Sequence, residues 1–255
     1  MTRQPTAPVL SRFDAVDALR GLAMLWMTAY HFFFDLNQFG FYRQDFYGDP
    51  FWTWQRSLIV SLFLLCAGIG QAIAVAQGQR WPRFWRRWAQ VAACALLVSA
   101  GSWLLYPQSF IYFGVLHGMA LMLVIARLTA HWRGWLWPLG GVAIALHFMA
   151  GYALSTAALA PLADVLNAPA LNWLGLITRK PVTEDYVPLL PWLGVMWWGV
   201  AGGGWLVRRA ASGASWQLPP ALQPLATLGR WSLSYYMLHQ PVMLGALLAL
   251  GWFTK

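Results

Sequence analysis

The chain has 255 residues, of which 59% are hydrophobic and 10% charged, and it carries a formal net charge of +9. Together with a mean hydropathy of +0.51, this composition excludes an ordinary soluble domain and indicates an integral membrane protein. Attraction to an anionic lipid surface accounts for the positive charge, so no nucleic-acid partner is needed to explain it.

Seven apolar stretches are long enough to cross a hydrocarbon core of about 30 Å. In chain order they cover residues 14–36, 57–77, 86–106, 112–129, 134–153, 189–207 and 230–253. The first has charges inside its apolar run and no small-residue cleavage signature after it, which favours a retained span over a signal peptide. The sequence predicts an all-α, polytopic membrane bundle that forms one domain over residues 1–255.

The distribution of basic residues predicts the orientation, because cytoplasmic loops are enriched in Lys and Arg. With the N-terminus inside, twelve of the 17 basic residues lie on the cytoplasmic side. These twelve are Arg3, Arg12, Arg20, Arg80, Arg83, Arg86, Arg87, Arg127, Arg133, Arg208, Arg209 and Arg230. The other five are Arg43, Arg56, Arg179, Lys180 and Lys255. The sequence therefore predicts a cytoplasmic N-terminus and an outer C-terminus.

Four ionisable residues in the first span, Asp17, Arg20, His31 and Asp35, share one helical face. At about 100° per residue, the eleven steps from Arg20 to His31 close to within about 20° of three turns. Charge facing lipid is costly, so this stripe is predicted to face the bundle interior or a wet cavity. The alternatives are a plain ion pair between Asp17 and Arg20 and an interior histidine bonded to a neighbouring helix.

His31 is a candidate catalytic base, because Asp35 follows one turn later and is placed to hold the imidazole ring in one tautomer. A base oriented by a carboxylate is the arrangement that general-base and nucleophilic catalysis use. Arg20 and His31 are about 16 Å apart along the helix, with Arg20 toward the cytoplasm.

A second basic cluster, "RWPRFWRRW", precedes the third span and is predicted to lie in the inner loop. Arg83 and Arg86 are three residues apart, so two guanidinium groups on one helical face are placed to clamp a phosphate or pyrophosphate. The adjacent helix N-terminus would add partial positive charge. The equally weighted alternative is that these residues only mark the cytoplasmic side.

Three further polar residues are candidates for the site. His117 enters the fourth span near its outer end, and Asp185 lies at the outer mouth of the sixth. His239 lies near the middle of the seventh, before Pro241. For His117 the alternative is a hydrogen bond between helices, and for Asp185 it is helix capping or solvation in the loop.

Several other residues are interpreted as having no chemical role. Cys66 and Cys94 fall inside predicted spans without a CxxC or histidine-rich companion, which favours packing over a disulfide or a metal site. His131 is interpreted as an inner-loop residue and His147 as a packing residue of the fifth span. The long outer connection, from about 154 to 188, is predicted to be irregular with one short helix.

The sequence also resembles a known family. Arg20 and His31, followed by Arg83-Phe-Trp-Arg86, resemble the signature of transmembrane acyltransferases that modify extracytoplasmic sugars. Four segments resemble the bacterial relatives of the heparan-alpha-glucosaminide N-acetyltransferase catalytic domain. They are "FDAVDALRGLAMLWMTAYH", "FGVLHGMAL", "DYVPLLPW" and "LGRWSLSYYMLHQPV". The animal lysosomal members carry Asn at the position of His31, so its assignment follows the wider sugar acyltransferase pattern.

This resemblance implies an enzyme of the bacterial inner membrane that takes an acetyl group from cytoplasmic acetyl-CoA, with no metal. It would deliver the group to a hydroxyl or amino group of an extracytoplasmic glycan or lipid-linked sugar. The implied catalytic set is His31, Asp35, His117 and Asp185. Donor binding would fall to Arg20, Arg83, Arg86 and His239.

Three alternatives remain open at this point. A proton-coupled transporter or channel would use a buried Asp-His pair equally well. An enzyme could use a longer acyl-CoA, and a noncatalytic partner in envelope assembly would need no chemistry at His31. Direct transfer and an acyl-imidazole intermediate are not distinguished by the sequence, and neither is the oligomeric state.

Overall fold

The computed structural model describes residues 13–212 and 217–253, the last four by their backbone alone. Arg3, Arg12 and Lys255, which entered the orientation argument, lie outside the described residues. Nine α-helices occur in the described part of the chain. They are α1 (Asp14–Gln38), α2 (Pro50–Ala76), α3 (Trp81–Leu105), α4 (Val115–Thr129), α5 (Leu136–Leu154), α6 (Ala160–Asn167), α7 (Trp192–Ala211), α8 (Gln223–Arg230) and α9 (Ser232–Phe253).

The all-α prediction is confirmed, since the described residues form no β-strand beyond one isolated bridge between Phe113 and Tyr186. Three stretches of the described chain are long and apolar enough to cross a membrane. They are Pro50–Ala76, Trp81–Leu105 and Val115–Leu154. The last of these is interrupted by a kink at Arg133, where φ is 50°. The count of seven spans stays a prediction.

Helices α2 and α3 begin earlier than the apolar runs that predicted them. Helix α2 begins at Pro50 rather than 57, because the Asp49 side chain accepts a hydrogen bond of 2.8 Å from the Phe51 N–H and caps the first turn. Helix α3 begins at Trp81 rather than 86, with Pro82 in its first turn. Arg83 and Arg86 therefore lie in the first turns of α3, on a helix as their spacing predicted, and their location on the cytoplasmic side stays a prediction.

Two short helices lie between the long ones. Helix α6 confirms the prediction of one short helix in the outer connection. Helix α8 was not predicted, and it packs closely on the first half of α1. A side-chain atom on Gly21 would meet the Leu225 carbonyl, and one on Gly229 would meet the Asp17 carbonyl. Arg230 also forms an ion pair of 2.8 Å with Asp14.

Helices α2 and α7 pack against each other through glycines. A Cβ on Gly199 would meet the Leu65 backbone, a Cβ on Gly203 would meet Ile69 of α2, and a Cβ on Gly68 would meet the Met196 backbone. Small residues at such positions allow close helix approach, as in other membrane bundles. One buried core surrounds this contact, and a second, aromatic core joins α1 to the first half of α2.

Candidate active site

A cavity of about 850 Å³ enters the bundle between α1, α2, α3, α4 and α9. Its mouth lies at the end where α1, α3 and α9 begin, here called the N-terminal end, and includes Gln79 and Trp231. Its deepest walls include Phe63 and Val115. Along α2 the lining runs from Phe63 to the residues just after the helix, about 24 Å at 1.5 Å per residue. The cavity is therefore long enough for an extended ligand.

The cavity wall is largely apolar but carries several hydrogen-bonding side chains. These are Arg20, Gln71, Gln79, Arg87, Gln90, Ser232, Ser234 and Tyr236. Arg20 is fixed by an ion pair of 3.0 Å with Asp17, and Asp17 also lies 3.8 Å from the Arg230 guanidinium. The ion pair considered for Asp17 from the sequence is thus present, and it holds the Arg20 head at the cavity.

The arginines that begin α3 divide between two environments. All three of Arg83, Arg86 and Arg87 are exposed, but of these three Arg87 alone lines the cavity. The predicted clamp from Arg83 and Arg86 is therefore not on the wall of this cavity. The sequence identified the cluster but not its cavity-lining member, because the point where α3 begins and the packing of α3 decide which arginine borders the cavity.

The four polar residues of α1 take the interior positions predicted for them. Asp17 and Asp35 are buried, and Arg20 and His31 are half-buried, while Leu19, Leu22 and Leu25 on other faces are exposed. The predicted hydrogen bond between Asp35 and His31 is absent from the described structure. The Asp35 Oδ1 accepts a hydrogen bond of 2.8 Å from the Gln240 amide, because α9 packs on this face of α1.

His239 follows directly after cavity residues of α9 and lies opposite His31. The two ring centroids are 5.3 Å apart. The His239 Nδ1–H donates to the Tyr236 carbonyl at 2.7 Å, which leaves a lone pair on Nε2. That Nε2 atom is buried and has no hydrogen-bond partner among the described residues. His239 thus has a fixed tautomer and one basic nitrogen available.

Two tyrosines of α9 support this histidine pair. The Tyr235 ring lies nearly parallel to that of His239, at 6.1 Å between centroids, and its hydroxyl is 2.7 Å from that of Thr28 on α1. Tyr236 supplies the carbonyl for His239 and lines the cavity. Sequence reasoning missed both tyrosines, although they stand in the "SYYMLHQP" segment that it quoted.

His117 has a different environment from the other two histidines. Its Nδ1 accepts a hydrogen bond of 3.2 Å from the Gly114 N–H, and its Nε2 is 2.9 Å from the Ser99 hydroxyl. Both ring nitrogens are therefore used in joining the start of α4 to α3. This arrangement supports the interhelical hydrogen bond considered as the alternative for His117.

Asp185 lies near the deep end of the cavity, in the connection before α7. Its Oδ2 accepts a hydrogen bond of 2.7 Å from the N–H of Val115, the first residue of α4. Burial raises the pKa of the Asp185 carboxyl, and the Val115 N–H and the nearby cations Lys180 and Arg56 partly offset this. The carboxyl group caps α4, and no hydrogen bond joins it to His117 in the described structure.

The two remaining histidines lie outside this site, and neither cysteine forms a disulfide. His131 is exposed, and His147 bonds to the Gly175 carbonyl at 2.7 Å. Cys94 lines the cavity, Cys66 is buried beside Arg20, and both thiols are free. Within residues 13–212 and 217–253, no three His, Cys, Asp or Glu side chains are grouped in a way that could hold a metal ion.

Long apolar helices around a ligand-sized cavity, largely apolar with several hydrogen-bonding side chains, define a helical membrane protein with an internal cavity. Residues 12–241 match the family described as heparan-alpha-glucosaminide N-acetyltransferase, catalytic. The chain belongs to this family, which is a family of acetyltransferases, and it is therefore an enzyme of the transferase class. Searches of the curated proteins and of the solved structures found no match.

Proposed function

We propose that this protein transfers an acetyl group from cytoplasmic acetyl-CoA across the bacterial inner membrane to an extracytoplasmic glycan or lipid-linked sugar. The acceptor group is a hydroxyl or an amine. The observation that carries the proposal is the cavity whose lining runs from Trp231, just before α9, to Leu238, the residue before His239, which faces His31. The excess of basic residues predicts that the N-terminal end faces the cytoplasm, where the donor is found.

The donor would lie along the cavity with its phosphates at the mouth. Arg20 and Arg87 supply charge there, and guanidinium groups bind phosphate oxygens well. Arg83 and Arg86, exposed on the same helix turns, would attract the nucleotide to the mouth. The volume of about 850 Å³ falls within the usual range for small-molecule pockets, about 300–1,000 Å³.

The thioester would then lie between the deep end of the cavity and the histidine pair. His31 removes the proton from the acceptor as its oxygen or nitrogen attacks the thioester carbon. The bond from carbon to sulfur breaks, the new ester or amide forms, and the proton passes to the departing CoA thiolate. In the alternative route, a histidine nitrogen first attacks the thioester to give an acyl-imidazole.

Four other residues would support this chemistry. Asp35 holds Gln240, the neighbour of His239, and so keeps α9 at a fixed distance from α1. His239 presents its unpartnered Nε2 toward the space shared with His31 and would serve as the second base or as a contact for the acyl group. Asp185 and His117 would support the site from the α4 side, where they fix the first turn of that helix.

The direct test is calorimetric binding of acetyl-CoA to the detergent-purified full chain. Wild type and His31→Ala are expected to bind, whereas Arg87→Ala should bind at least about tenfold more weakly through the loss of a charge-assisted contact. Arg209→Ala is the control, because Arg209 lies over the Trp205 ring and does not line the cavity. If folded wild type binds neither acetyl-CoA nor longer acyl-CoAs, the proposal fails and proton-coupled transport becomes the function to test.

A further inference from the structure

Two cations lie together at the end of the bundle opposite the cavity mouth. Arg56 belongs to the second turn of α2 and is half-buried. Lys180 belongs to the connection between α6 and α7, and its Nζ atom lies over the Tyr47 ring at 5.6 Å from the centroid. Arg56 is close enough to Lys180 for the two charges to repel each other. The fold thus brings two like charges together from segments more than 100 residues apart.

The acidic side chains nearby already have protein donors. Glu184 Oε1 accepts a hydrogen bond of 2.5 Å from the Ser109 hydroxyl, and Asp185 Oδ2 accepts from the Val115 N–H. By contrast, neither Arg56 nor Lys180 donates a hydrogen bond or forms a close ion pair with any residue that the structure describes. A guanidinium has five N–H donors and an ammonium three, so acceptors for them must come from solvent or from a ligand.

The electrostatic surroundings of Lys180, which include the like charge of Arg56, favour the binding of an anion. Although the side chain as a whole is exposed, its ammonium end loses solvent where it lies over Tyr47. This desolvation, followed by repulsion from Arg56, lowers the pKa of Lys180, while Asp185 and Glu184 raise it. An anion bound between the two cations would relieve the repulsion.

The pair of cations also lies close to the proposed chemistry. Tyr30 interacts electrostatically with Arg56, and its ring packs edge-on against His31 at 5.8 Å between centroids. Tyr47 is 58% exposed and presents an aromatic surface of the kind that packs against the apolar face of a sugar. Trp52, one turn before Arg56 on α2, packs against the same Tyr30 ring at 5.9 Å between centroids, so Arg56 and His31 border one aromatic cluster.

We propose that Arg56 and Lys180 bind an oxyanion substituent, carboxylate or phosphate, of the sugar that is acetylated at His31. This inference rests on the proposed function and narrows its acceptor to an acidic sugar. Arg56 supplies the directional contacts and Lys180 the second charge, while Tyr47 supports the sugar ring. Neutral sugars would lack the group that these two cations recognise.

The test compares three probes on the detergent-purified full chain: methyl glucoside, methyl glucuronide and glucose 1-phosphate. Binding of each is measured by calorimetry, and acetyl transfer from acetyl-CoA is measured separately. Wild type should bind at least one acidic probe about tenfold or more tightly than methyl glucoside, since hydrogen bonds to charged groups contribute about 1.5–3 kcal/mol. The glucuronide and the phosphate distinguish the two sources of the oxyanion.

Arg56→Gln and Lys180→Gln should each remove most of this preference and leave methyl glucoside and acetyl-CoA binding unchanged. Arg179→Gln is the matched control, because Arg179 precedes Lys180 but pairs on the surface with Asp164 at 3.1 Å. Equal binding of acidic and neutral probes by wild type that binds acetyl-CoA would overturn this inference alone. If wild type instead prefers the acidic probes but does not bind acetyl-CoA, the proposed function is overturned.

Discussion

Gln240 of α9 donates a hydrogen bond of 2.8 Å to the buried carboxyl group of Asp35 on α1. This contact joins the two helices that carry His31 and His239, one turn and one residue away from them respectively. It replaces the pairing between His31 and Asp35 that the spacing on α1 had predicted. The Asp35 carboxyl group thus helps to fix the distance between the helices that carry the two histidines, and it does not orient the His31 ring directly.

Removing either partner of this contact should destabilise the protein. Asp35→Ala or Gln240→Ala leaves a buried polar group without its partner, which costs about 1–3 kcal/mol. The double variant should cost less than the sum of the two, because neither orphan remains. Thermal unfolding in detergent of the four proteins measures this, and strictly additive losses would show that the two side chains act independently.

Substitution of either facing histidine should impair chemistry more than donor binding. His31→Ala is expected to lower kcat by about 10²–10⁴-fold, the usual contribution of a general base, and His239→Ala should also lower kcat. Both variants should retain the acetyl-CoA Kd of the wild type. His131→Ala, which changes an exposed histidine, should leave kcat unaltered. An unchanged kcat in His31→Ala would eliminate it as the base.

His117 should behave as a structural residue. Its ring joins Gly114 and Ser99, so His117→Ala should lower the free energy of unfolding by about 1–3 kcal/mol. Ser99→Ala should lower it less, because the serine is only one of the two partners. The kcat per folded molecule, determined after correcting for the folded fraction, should stay within about twofold of wild type. A loss comparable to that of His31→Ala would restore His117 to the catalytic set.

Because α1 and α8 pack closely, the cost of replacing a glycine by alanine should depend strongly on whether the glycine lies in this contact. Gly21→Ala would drive its methyl group into the Leu225 backbone and should cost about 1–3 kcal/mol, as overpacking usually does. Gly101→Ala on α3 is the control, because a Cβ there would meet nothing within 4 Å. That change should be neutral or stabilise the helix by up to about 1 kcal/mol. Equal unfolding temperatures for the two variants would contradict the described α1–α8 contact.

Asp185 should make a pH-dependent contribution to stability. Because its folded pKa is raised by burial, the folded state binds a proton more readily than the unfolded chain. The contribution of this carboxyl group is therefore fully present below its unfolded pKa and is lost as the pH rises through the folded value. The stability of wild type relative to Asp185→Asn, measured by unfolding in detergent, should fall as the pH rises above the unfolded pKa of an aspartate, about 3.9. The opposite slope would show that the Val115 N–H and the cations outweigh burial.

The sequence alone determined the class of protein and the polar face of its first helix. Apolar runs and the 3.6-residue period are local properties, so they predicted the helical bundle and placed Asp17, Arg20, His31 and Asp35 on one interior face. Regular spacing along the sequence is enough to predict such a face, because an α-helix brings residues three or four positions apart to the same side whatever surrounds it. Local signals also indicated the single short helix of the outer connection.

Tertiary structure decided which of these residues meet. Neither the pairing of Asp35 with Gln240 nor the approach of His31 to His239 can be read from spacing, because each joins residues about 205 positions apart. The position of Arg87 at the cavity and the proximity of Arg56 to Lys180 depend in the same way on where helices begin and how they pack. Side-chain partners across helices follow from close packing of the whole bundle, and no local pattern encodes that packing.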